Sequence, residues 1–175
     1  MLNKIEKIKK SIRVIKNFPK PGINFKDITT LLQSQDAFNN SIELFVEEFK
    51  NKKIDVIVGI ESRGFIFASP LALKLNARFA LARKPGKLPS KLIREDYDLE
   101  YGTDSIEIHE DAIKNSEKVL IIDDLLATGG TAKATGNLVG RLGGDIIGYG
   151  FLIKLNSLNG ENKLNHKNVF SIINY

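Results

Sequence analysis

The sequence predicts a single α/β domain with a mostly parallel central sheet flanked by helices. Two observations predict this fold. Short aliphatic runs of strand length alternate with longer segments whose apolar residues recur every three or four positions. No repeat, low-complexity tract or Pro/Ser-rich linker interrupts the 175 residues, a length that suits one domain. We therefore expect one domain over residues 1–175, with right-handed crossovers between its strands.

Apolar spacings of three and four predict two helices in the first fifty residues. The first helix face consists of Leu2, Ile5, Ile8, Ile12 and Ile15. This helix should end before FPKPG (18–22), because prolines and glycine oppose helix. The second helix face consists of Phe38, Ile42, Phe45, Val46 and Phe49. Asp36 is its candidate N-cap.

Short aliphatic runs predict five strands, of which residues 54–60 are typical of a strand covered on both faces and residues 118–123 of another buried strand. These runs are IDVIVGI (54–60), RFALA (78–82), KVLIID (118–123), IIGYGFLI (146–153) and VFSII (169–173). Helices are predicted over residues 64–75 and 129–142, the second of which should stop at Gly143-Gly144. Gly136 and Gly140, four residues apart on that helix, favour close helix packing.

The span 83–105 is polar, contains two prolines and two glycines, and is too long for a routine connection. Loops of this kind are functional or disordered. Ligands on parallel sheets bind beyond the carboxyl ends of the strands, and the stretch over residues 119–131 lies at one of those ends.

Composition excludes several classes of function. With no cysteine, the chain has no disulfide, thiolate nucleophile or Cys-based metal site, and His109 and His166 lack metal-ligand spacing. No apolar run approaches the roughly 20 residues of a membrane helix, and the N-terminus lacks a signal-like apolar core. The lysines behind the net charge of +5 are spread along the chain, without a basic stripe and interleaved aromatics. We expect a cytoplasmic protein with no nucleic-acid or membrane partner.

The stretch VLIIDDLLATGGT (119–131) carries the strongest chemical signal. Asp123 and Asp124 follow a buried strand. Neighbouring side chains in a strand point to opposite faces of the sheet. The two acids can therefore bind one ligand only if the chain begins to turn there. Adjacent carboxylates repel and are costly to bury, which favours a diol or a cation as partner. Helix-capping or solvent-facing acids are the alternative.

The turn Thr128–Thr131 indicates a phosphate site. Gly129 and Gly130 permit positive φ and close backbone approach where a helix begins, and the free N–H groups of a helix N-terminus suit an anion. The chain contains neither a GxxxxGK[ST] loop nor a GxGxxG fingerprint. The pattern therefore favours a ligand that joins a monophosphate to a diol, and disfavours a triphosphate or a dinucleotide.

For each of three further sets of residues, the sequence alone allows two interpretations. Ser62 and Arg63 follow a strand and could receive a pyrophosphate or form an ordinary turn with a surface ion pair. Arg83, Lys84 and Lys87 form either an anion clamp or a solvated basic loop. Phe25, in a loop after FPKPG, is either a core residue or a platform for a planar base.

VLIIDDLLATGGT resembles the phosphoribosyl pyrophosphate (PRPP) binding motif of the type I phosphoribosyltransferases. Further segments resemble the adenine phosphoribosyltransferases in the same order. They are FPKPGINFKDIT (18–29), GIESRGFIF (59–67), RKPGKLP (83–89) and YDLEYGTDSIEIHEDAI (97–113). The resemblance covers nearly the whole chain. It implies the type I phosphoribosyltransferase fold, with an N-terminal hood of helix and loop and a mobile flap over residues 83–105.

The resemblance also implies a reaction, in which adenine and PRPP give AMP and pyrophosphate, and a homodimer. Asp123 and Asp124 would hold the ribose and stabilise positive charge on it, and Ala127, Thr128, Gly129, Gly130 and Thr131 would hold the 5′-phosphate. Ser62, Arg63, Arg83, Lys84 and Lys87 would contact pyrophosphate. Ile23, Phe25 and Lys26 would contact adenine, although the family commonly has arginine where this chain has Lys26. Glu100 would be the acid/base group at the purine.

The resemblance implies Mg²⁺ bound with PRPP, coordinated by substrate oxygens and water without a dedicated protein ligand. Three other functions remain open at this point. The chain could act on hypoxanthine, guanine or orotate, since the PRPP motif does not contact the base and so does not select it. It could be a PRPP-sensing regulator, or a nucleotide-binding protein without PRPP chemistry.

Overall fold

The computed structural model describes residues 2–98, 102–165 and 168–175. The chain forms two compact units, Met1–Glu47 and Glu48–Tyr175. The expectation of one domain over residues 1–175 stays a prediction. Within the described ranges, none of the helices combines the length and apolar character that a membrane-spanning helix requires.

The first unit contains two helices, a short helical turn and a two-stranded antiparallel sheet. Its elements are α1 (Leu2–Ser11), β1 (Arg13–Lys16), β2 (Asn24–Asp27), α2 (Thr29–Leu32) and most of α3 (Gln35–Phe49). Arg13 joins the two strands, because its Nε and Nη2 donate to Asp27 Oδ2 at 3.0 and 2.5 Å. The Asp27 pKa is lowered to about 2 by hydrogen bonds from the Thr29 backbone, from Arg13 and from the Thr29 hydroxyl.

Three predictions for this unit were wrong in detail. The first helix ends at Ser11, because Ile15 pairs with Phe25 in the β1–β2 ladder rather than continuing the helix face. Phe25 therefore lies in a strand and not in a loop. Asp36 lies inside the first turn of α3, and Ser34 is the capping residue, since its Oγ accepts the Ala37 N–H at 3.3 Å.

A five-stranded parallel sheet forms the centre of the second unit, as predicted. Its strands are β3 (Val56–Ile60), β4 (Arg78–Ala82), β7 (Lys118–Leu126), β8 (Asp145–Lys154) and β9 (Val169–Asn174). Their order across the sheet is β4-β3-β7-β8-β9. Every residue of β3 is buried, which explains why a continuous aliphatic run identified this strand.

The strand order changes direction between β3 and β7. The connection from β3 through α4 (Gly64–Lys74) leads outward to β4, whereas β7 connects through α5 (Gly130–Arg141) to β8 on the other side. Since such crossovers are right-handed as a rule, two that lead in opposite directions place their helices on opposite faces of the sheet. The carboxyl ends of β3 and β7 thus form a topological switch point, where ligands of such sheets bind.

Residues 83–105 are not a plain loop, contrary to the sequence-based expectation. The segment from 92 onward forms an antiparallel pair, β5 (Leu92–Asp98) with β6 (Thr103–His109), which we call the hairpin. Its strands were missed because LIREDYD is rich in charge and exposes alternate residues, so no aliphatic run marks it. The predicted mobility of this segment stays a prediction.

The two glycines of α5 have different environments. A Cβ on Gly136 would collide with the Tyr149 hydroxyl, so this glycine permits the close helix–sheet packing that its position predicted. The same prediction was wrong for Gly140, because a Cβ there would meet no described heavy atom within 4 Å.

Candidate active site

Asp123 and Asp124 lie at the switch point, but inside a strand. β7 pairs with β3 only as far as Ile122 and continues beside β8 to Leu126, so the chain is still in the strand at the acids and turns only after Leu126. The long partner strand β8 explains the extension. Asp123 Oδ1 accepts the backbone N–H of Asp124 at 2.8 Å, and this local contact holds the first carboxylate against the chain.

Both carboxyls have pKa values raised above the ordinary range. For Asp123, burial is the main cause and the charge of Asp124 the next; for Asp124, burial outweighs the opposing attraction of Arg63. Asp124 is only 5% exposed. Its Oδ2 makes no hydrogen bond within the described residues. An orphaned buried oxygen beside a second acid matches the predicted need for a hydroxyl or cationic partner.

Arg63 connects the acids to the turn after β3. Its Nε lies 3.0 Å from Asp124 Oδ2, as a close charge contact rather than an aligned hydrogen bond, and its side chain remains 38% exposed. The sequence allowed either a pyrophosphate contact or a surface ion pair for Arg63. The structure shows an ion pair, but its partner is the buried site carboxylate of Asp124. Ser62, next to it, is exposed.

The turn after β7 has the geometry of an anion site. Gly129 has φ of +80°, and α5 starts at the next residue without a side-chain cap in the described part of the chain. The first backbone N–H groups of a helix lack partners within the helix, so they remain available to a phosphate. A concave surface lined by Asp123 and residues 125–132 brings together the predicted ribose and phosphate groups.

Gly160 supports this turn from a distant part of the sequence. A Cβ on Gly129 would collide with the Gly160 carbonyl, and a Cβ on Gly160 would collide with the Ala127 carbonyl. The two glycines therefore allow two backbone segments to touch. Gly160 was not predicted as a site residue, because the Asn159-Gly160 pair indicates a turn but does not reveal the segment that the turn contacts.

Glu61 brings the predicted pyrophosphate residues together. Its Oε2 accepts hydrogen bonds from Arg83 Nε and from the Lys84 backbone N–H, each at 3.0 Å. The carboxylate thus joins the Ser62–Arg63 turn to the start of the basic segment. Glu61 was also missed, because a single glutamate at a strand end has no distinctive signal.

The three basic residues of this segment differ in their contacts. Arg83 pairs with Glu61, and Lys84 pairs with Asp104 and donates to the Tyr97 hydroxyl at 2.6 Å. Burial acts to lower the Lys84 pKa, but these hydrogen bonds outweigh it and raise the pKa. Lys87 is exposed and forms no ion pair within the described residues, so its charge is the most accessible of the three.

The predicted base-binding residues are in the first of the two units. Ile23, Phe25 and Lys26 belong to the first unit, where Phe25 packs edge-on against Phe18 with ring centroids 5.3 Å apart. This contact is compatible with both readings of Phe25, and the role of these residues at the base stays a prediction. Glu100, the predicted acid/base group, and His166 lie outside the described residues.

The strand before Glu100 can be placed. β5 runs along α5 in the opposite direction, because Arg141 contacts Arg94 and Glu95, Asn137 contacts Glu95, and Gly130 lies against Tyr97 and Asp98. A Cβ on Gly130 would lie 3.3 Å from the Asp98 carbonyl oxygen. The end of β5, two residues before Glu100 in sequence, therefore reaches the phosphate-binding end of α5.

The acid pair also fits a divalent cation held jointly with a substrate. In the described residues, no group of three or more His, Cys, Asp or Glu side chains could hold a metal ion. The buried Asp124, whose Oδ2 accepts no hydrogen bond within the described residues, and the partly buried Asp123 supply part of the hard oxygen set that Mg²⁺ prefers. The remaining ligands would have to be substrate oxygens and water.

Comparison with known proteins defines the class. The model of the phosphoribosyl transferase domain matches residues 27–175, which include the acid pair and the phosphate turn. The chain therefore belongs to the phosphoribosyl transferase family. Within that family, the chain is one of the adenine phosphoribosyltransferases. The adenine phosphoribosyltransferase from Christiangramia forsetii is 54% identical to it over 168 residues, which cover 96% of this chain and 98% of the relative.

Solved structures agree. The adenine phosphoribosyltransferase from Thermoanaerobacter pseudethanolicus is 48% identical with a TM-score of 0.95, covering 98% of this chain and 99% of that one. The Saccharomyces cerevisiae enzyme, crystallised with an imino-altritol bisphosphate and adenine, is 38% identical with a TM-score of 0.92, covering 99% and 100%. The predicted family, fold class and enzyme class are confirmed.

Proposed function

We propose that this chain transfers the 5-phosphoribosyl group from PRPP to adenine, giving AMP and pyrophosphate, by means of the site at the switch point. In this reaction the bond from the anomeric carbon to pyrophosphate breaks and a bond to the adenine nitrogen forms. The purine gives up a proton, and pyrophosphate leaves with the bonding electron pair. The observation that carries the proposal is the buried acid pair directly followed by the phosphate turn on one strand–turn–helix unit.

Asp123 and Asp124 hold the ribose hydroxyls. Their raised pKa values and the unused Asp124 oxygen favour a ligand that donates hydrogen bonds, as a diol does. As the pyrophosphate bond breaks, positive charge develops on the ribose. Carboxylates fixed beside the ring stabilise this charge more than the ground state, which lowers the barrier.

The phosphates of PRPP occupy the two sides of the acid pair. The 5′-phosphate binds at residues 127–131, where the N–H groups at the start of α5 point outward. Pyrophosphate binds near Ser62 and Arg63, with Lys87 as the accessible cation of the basic segment. Arg83 and Lys84 have carboxylate partners in this structure, so they contribute only if pyrophosphate replaces Glu61 or Asp104 as partner.

Adenine is held by the segment 23–26 of the first unit, with Phe25 stacking on the base, and Glu100 manages the purine proton. The hairpin then excludes water from the reacting ribose, because an exposed ring with oxocarbenium character would be hydrolysed. These assignments follow the family motif residue by residue. A homodimer and a cytoplasmic location are part of the same proposal.

Mg²⁺ bound with PRPP would supply positive charge against the pyrophosphate and the adjacent carboxylates. Asp123 and Asp124, which hold the ribose, are the residues that would face it.

A direct assay tests the reaction. Purified protein is incubated with PRPP, Mg²⁺ and one of adenine, hypoxanthine or guanine, and the nucleotide formed is separated by chromatography. We expect AMP formation with adenine and at least about a hundredfold lower rates with the other bases, because unmatched polar groups at the base edge are costly. A preference for hypoxanthine would overturn the assignment of the base.

The role of Glu100 is tested by Glu100→Gln. This change keeps the shape and a hydrogen-bonding oxygen but removes the titratable group. We expect kcat to fall by about 100-fold, the usual range of general acid–base contributions, with little change in KM for adenine. An unchanged kcat would place the proton transfer elsewhere.

A further inference from the structure

A polar network joins the hairpin to the middle of α5, away from the substrate groups. Asn137 Nδ2 donates to Glu95 Oε1 at 2.7 Å. Arg141 Nη1 lies 3.2 Å from Glu95 Oε2 and donates to the Arg94 carbonyl at 2.8 Å. The other end of the Asn137 amide is also engaged, since its Oδ1 accepts from Asn165 Nδ2 at 2.8 Å.

These bonds allow only one orientation of the Asn137 amide. If its nitrogen and oxygen were exchanged, the oxygen would face the Glu95 carboxylate and the nitrogen would face the Asn165 amide nitrogen. The Asn137 side chain is therefore a directional connector between α5 and β5. Glu95, with a side chain 26% exposed, uses both of its oxygens in this network.

The network acts on the same helix that starts at the phosphate turn. Asn137 follows Gly130 by seven residues, two helical turns, which places both on one helix face about 10 Å apart along the axis. On that face, β5 contacts α5 at Arg141, at Asn137 and at Gly130. Fixing β5 near its middle sets the register in which its end arrives at the phosphate turn.

We propose that Glu95, Asn137 and Arg141 are positioning residues, which hold the hairpin in register on α5 so that Tyr97 and Asp98 stay against Gly130 at the phosphate turn. This role rests on the proposed function, because the segment after Asp98 contains Glu100. The Glu95–Arg141 pair is half-exposed on the arginine side, and such pairs add little to global stability. Their main effect is therefore on geometry.

Steady-state kinetics of Asn137→Ala, Glu95→Ala and the double variant test this role. Misplacing a catalytic group by about 1 Å can lower a rate by two orders of magnitude, so we expect kcat to fall at least about tenfold. KM for PRPP should change less than twofold, because the phosphate turn and the acid pair are intact. The double variant should lose no more than the worse single variant, since both changes break one connection.

Two matched variants serve as controls. Glu95→Gln keeps an acceptor for Asn137 and should retain most of kcat, whereas a merely destabilised hairpin would not be rescued by it. Asp145→Asn removes a comparable surface ion pair, with Lys118, at the amino ends of the strands, and should leave kcat and KM unchanged. Thermal unfolding checks that all variants fold.

Hydrogen exchange gives a readout that does not depend on activity. Amides of residues 92–98 should exchange at least about tenfold faster in Asn137→Ala, while amides of β7 and β8 keep their protection. Wild-type kcat and wild-type exchange in Asn137→Ala would overturn the proposal, and so would a rise in KM for PRPP as large as the fall in kcat. If wild type and Asp145→Asn both fail to form AMP, the proposed reaction is wrong, and the exchange data still decide whether the network holds the hairpin.

Discussion

Asp123 and Asp124 make opposite contributions to stability and to function. In the folded protein their pKa values are raised, by burial first and then, for Asp123, by the neighbouring carboxylate. In the unfolded chain they ionise near pH 4. The folded state thus binds more protons than the unfolded state above that pH, so the free energy of unfolding falls as the pH rises toward the folded-state pKa values. At neutral pH the ligand-free protein carries this cost.

The variant with both Asp123→Asn and Asp124→Asn should therefore be more stable and inactive. Asparagine keeps the volume and the oxygen that accepts the Asp124 N–H, but it removes the repulsion. We expect turnover to fall at least about 100-fold, as when one preorganised electrostatic contact to a transition state is lost. The melting temperature should rise at pH 7.5 and approach that of wild type near pH 4. Scanning calorimetry at both pH values with activity assays checks this; near-normal activity would contradict the role of the acids.

Lys87 is the best test of the basic segment, since Arg83 and Lys84 have carboxylate partners in the ligand-free protein. Lys87→Ala should raise KM for PRPP by about tenfold, because a hydrogen bond to a charged group contributes about 1.5–3 kcal/mol. KM for adenine should stay within twofold. Lys74→Ala, at an exposed position at the end of α4, is the control for lost charge. Equal effects on both Michaelis constants would show that Lys87 does not contact pyrophosphate.

At the scale of elements, the phosphate turn depends on one glycine whose replacement is doubly unfavourable. Gly129 has positive φ, and its missing Cβ leaves space for the Gly160 carbonyl. Gly129→Ala should shift the first turn of α5 and raise KM for PRPP by at least about tenfold, with a loss of roughly 1–3 kcal/mol in stability from backbone strain and the collision. Kinetics and denaturant unfolding measure the two effects.

Gly140→Ala provides the control on the same helix. Position 140 is open and has helical φ, so alanine should stabilise the protein by up to about 1 kcal/mol through helix propensity, without changing KM for PRPP. A stabilised Gly129→Ala variant with normal kinetics would show that the turn does not need the left-handed conformation.

Elements differed in how well the sequence predicted them, for physical reasons. β3 and β8 were predicted because strands inside a parallel sheet are covered on both faces and appear as aliphatic runs. The edge strands β4 and β9 were predicted because their sequences are also short and apolar, although β4 exposes Phe79 and Leu81. The hairpin was missed because β5 is rich in charge and because β6, although buried at residues 105–108, has polar residues next to its isoleucines. β1 was read as helix, since the isoleucines at 12 and 15 kept the helical spacing and local pattern does not reveal the Phe25 partner.

Site residues in one continuous stretch of sequence were predicted, whereas site residues that act through contacts distant in sequence were not. The acid pair and the Thr-Gly-Gly-Thr turn were predicted because their chemistry lies in one continuous stretch. Glu61, Asp104 and Gly160 were not, because each acts on a residue at least twenty positions away. Their roles require the sheet order that brings the carboxyl ends of β3 and β7 together.

At the scale of the whole molecule, the site depends on the strand order of the second unit. β3 supplies Ser62 and Arg63, β7 supplies the acids and the phosphate turn, and the hairpin contacts both regions through Arg83 and through α5. The reversal of order between β3 and β7 leaves a crevice at that edge, as in other doubly wound sheets. A ligand that spans this crevice contacts several elements at once, so its binding should be linked to global unfolding.

This linkage separates the phosphate site from the proposed Mg²⁺ contribution. PRPP with Mg²⁺ at about 100 times its Kd should raise the free energy of unfolding by about 2.7 kcal/mol, measured as a higher melting temperature. A chelator should remove most of this shift, because without the cation the pyrophosphate charge faces the acid pair directly. Ribose 5-phosphate lacks pyrophosphate and engages the phosphate turn alone. Its smaller shift should therefore persist in the chelator and disappear in Gly129→Ala. A PRPP shift that the chelator leaves unchanged would contradict the role proposed for Mg²⁺ while leaving the phosphate site intact.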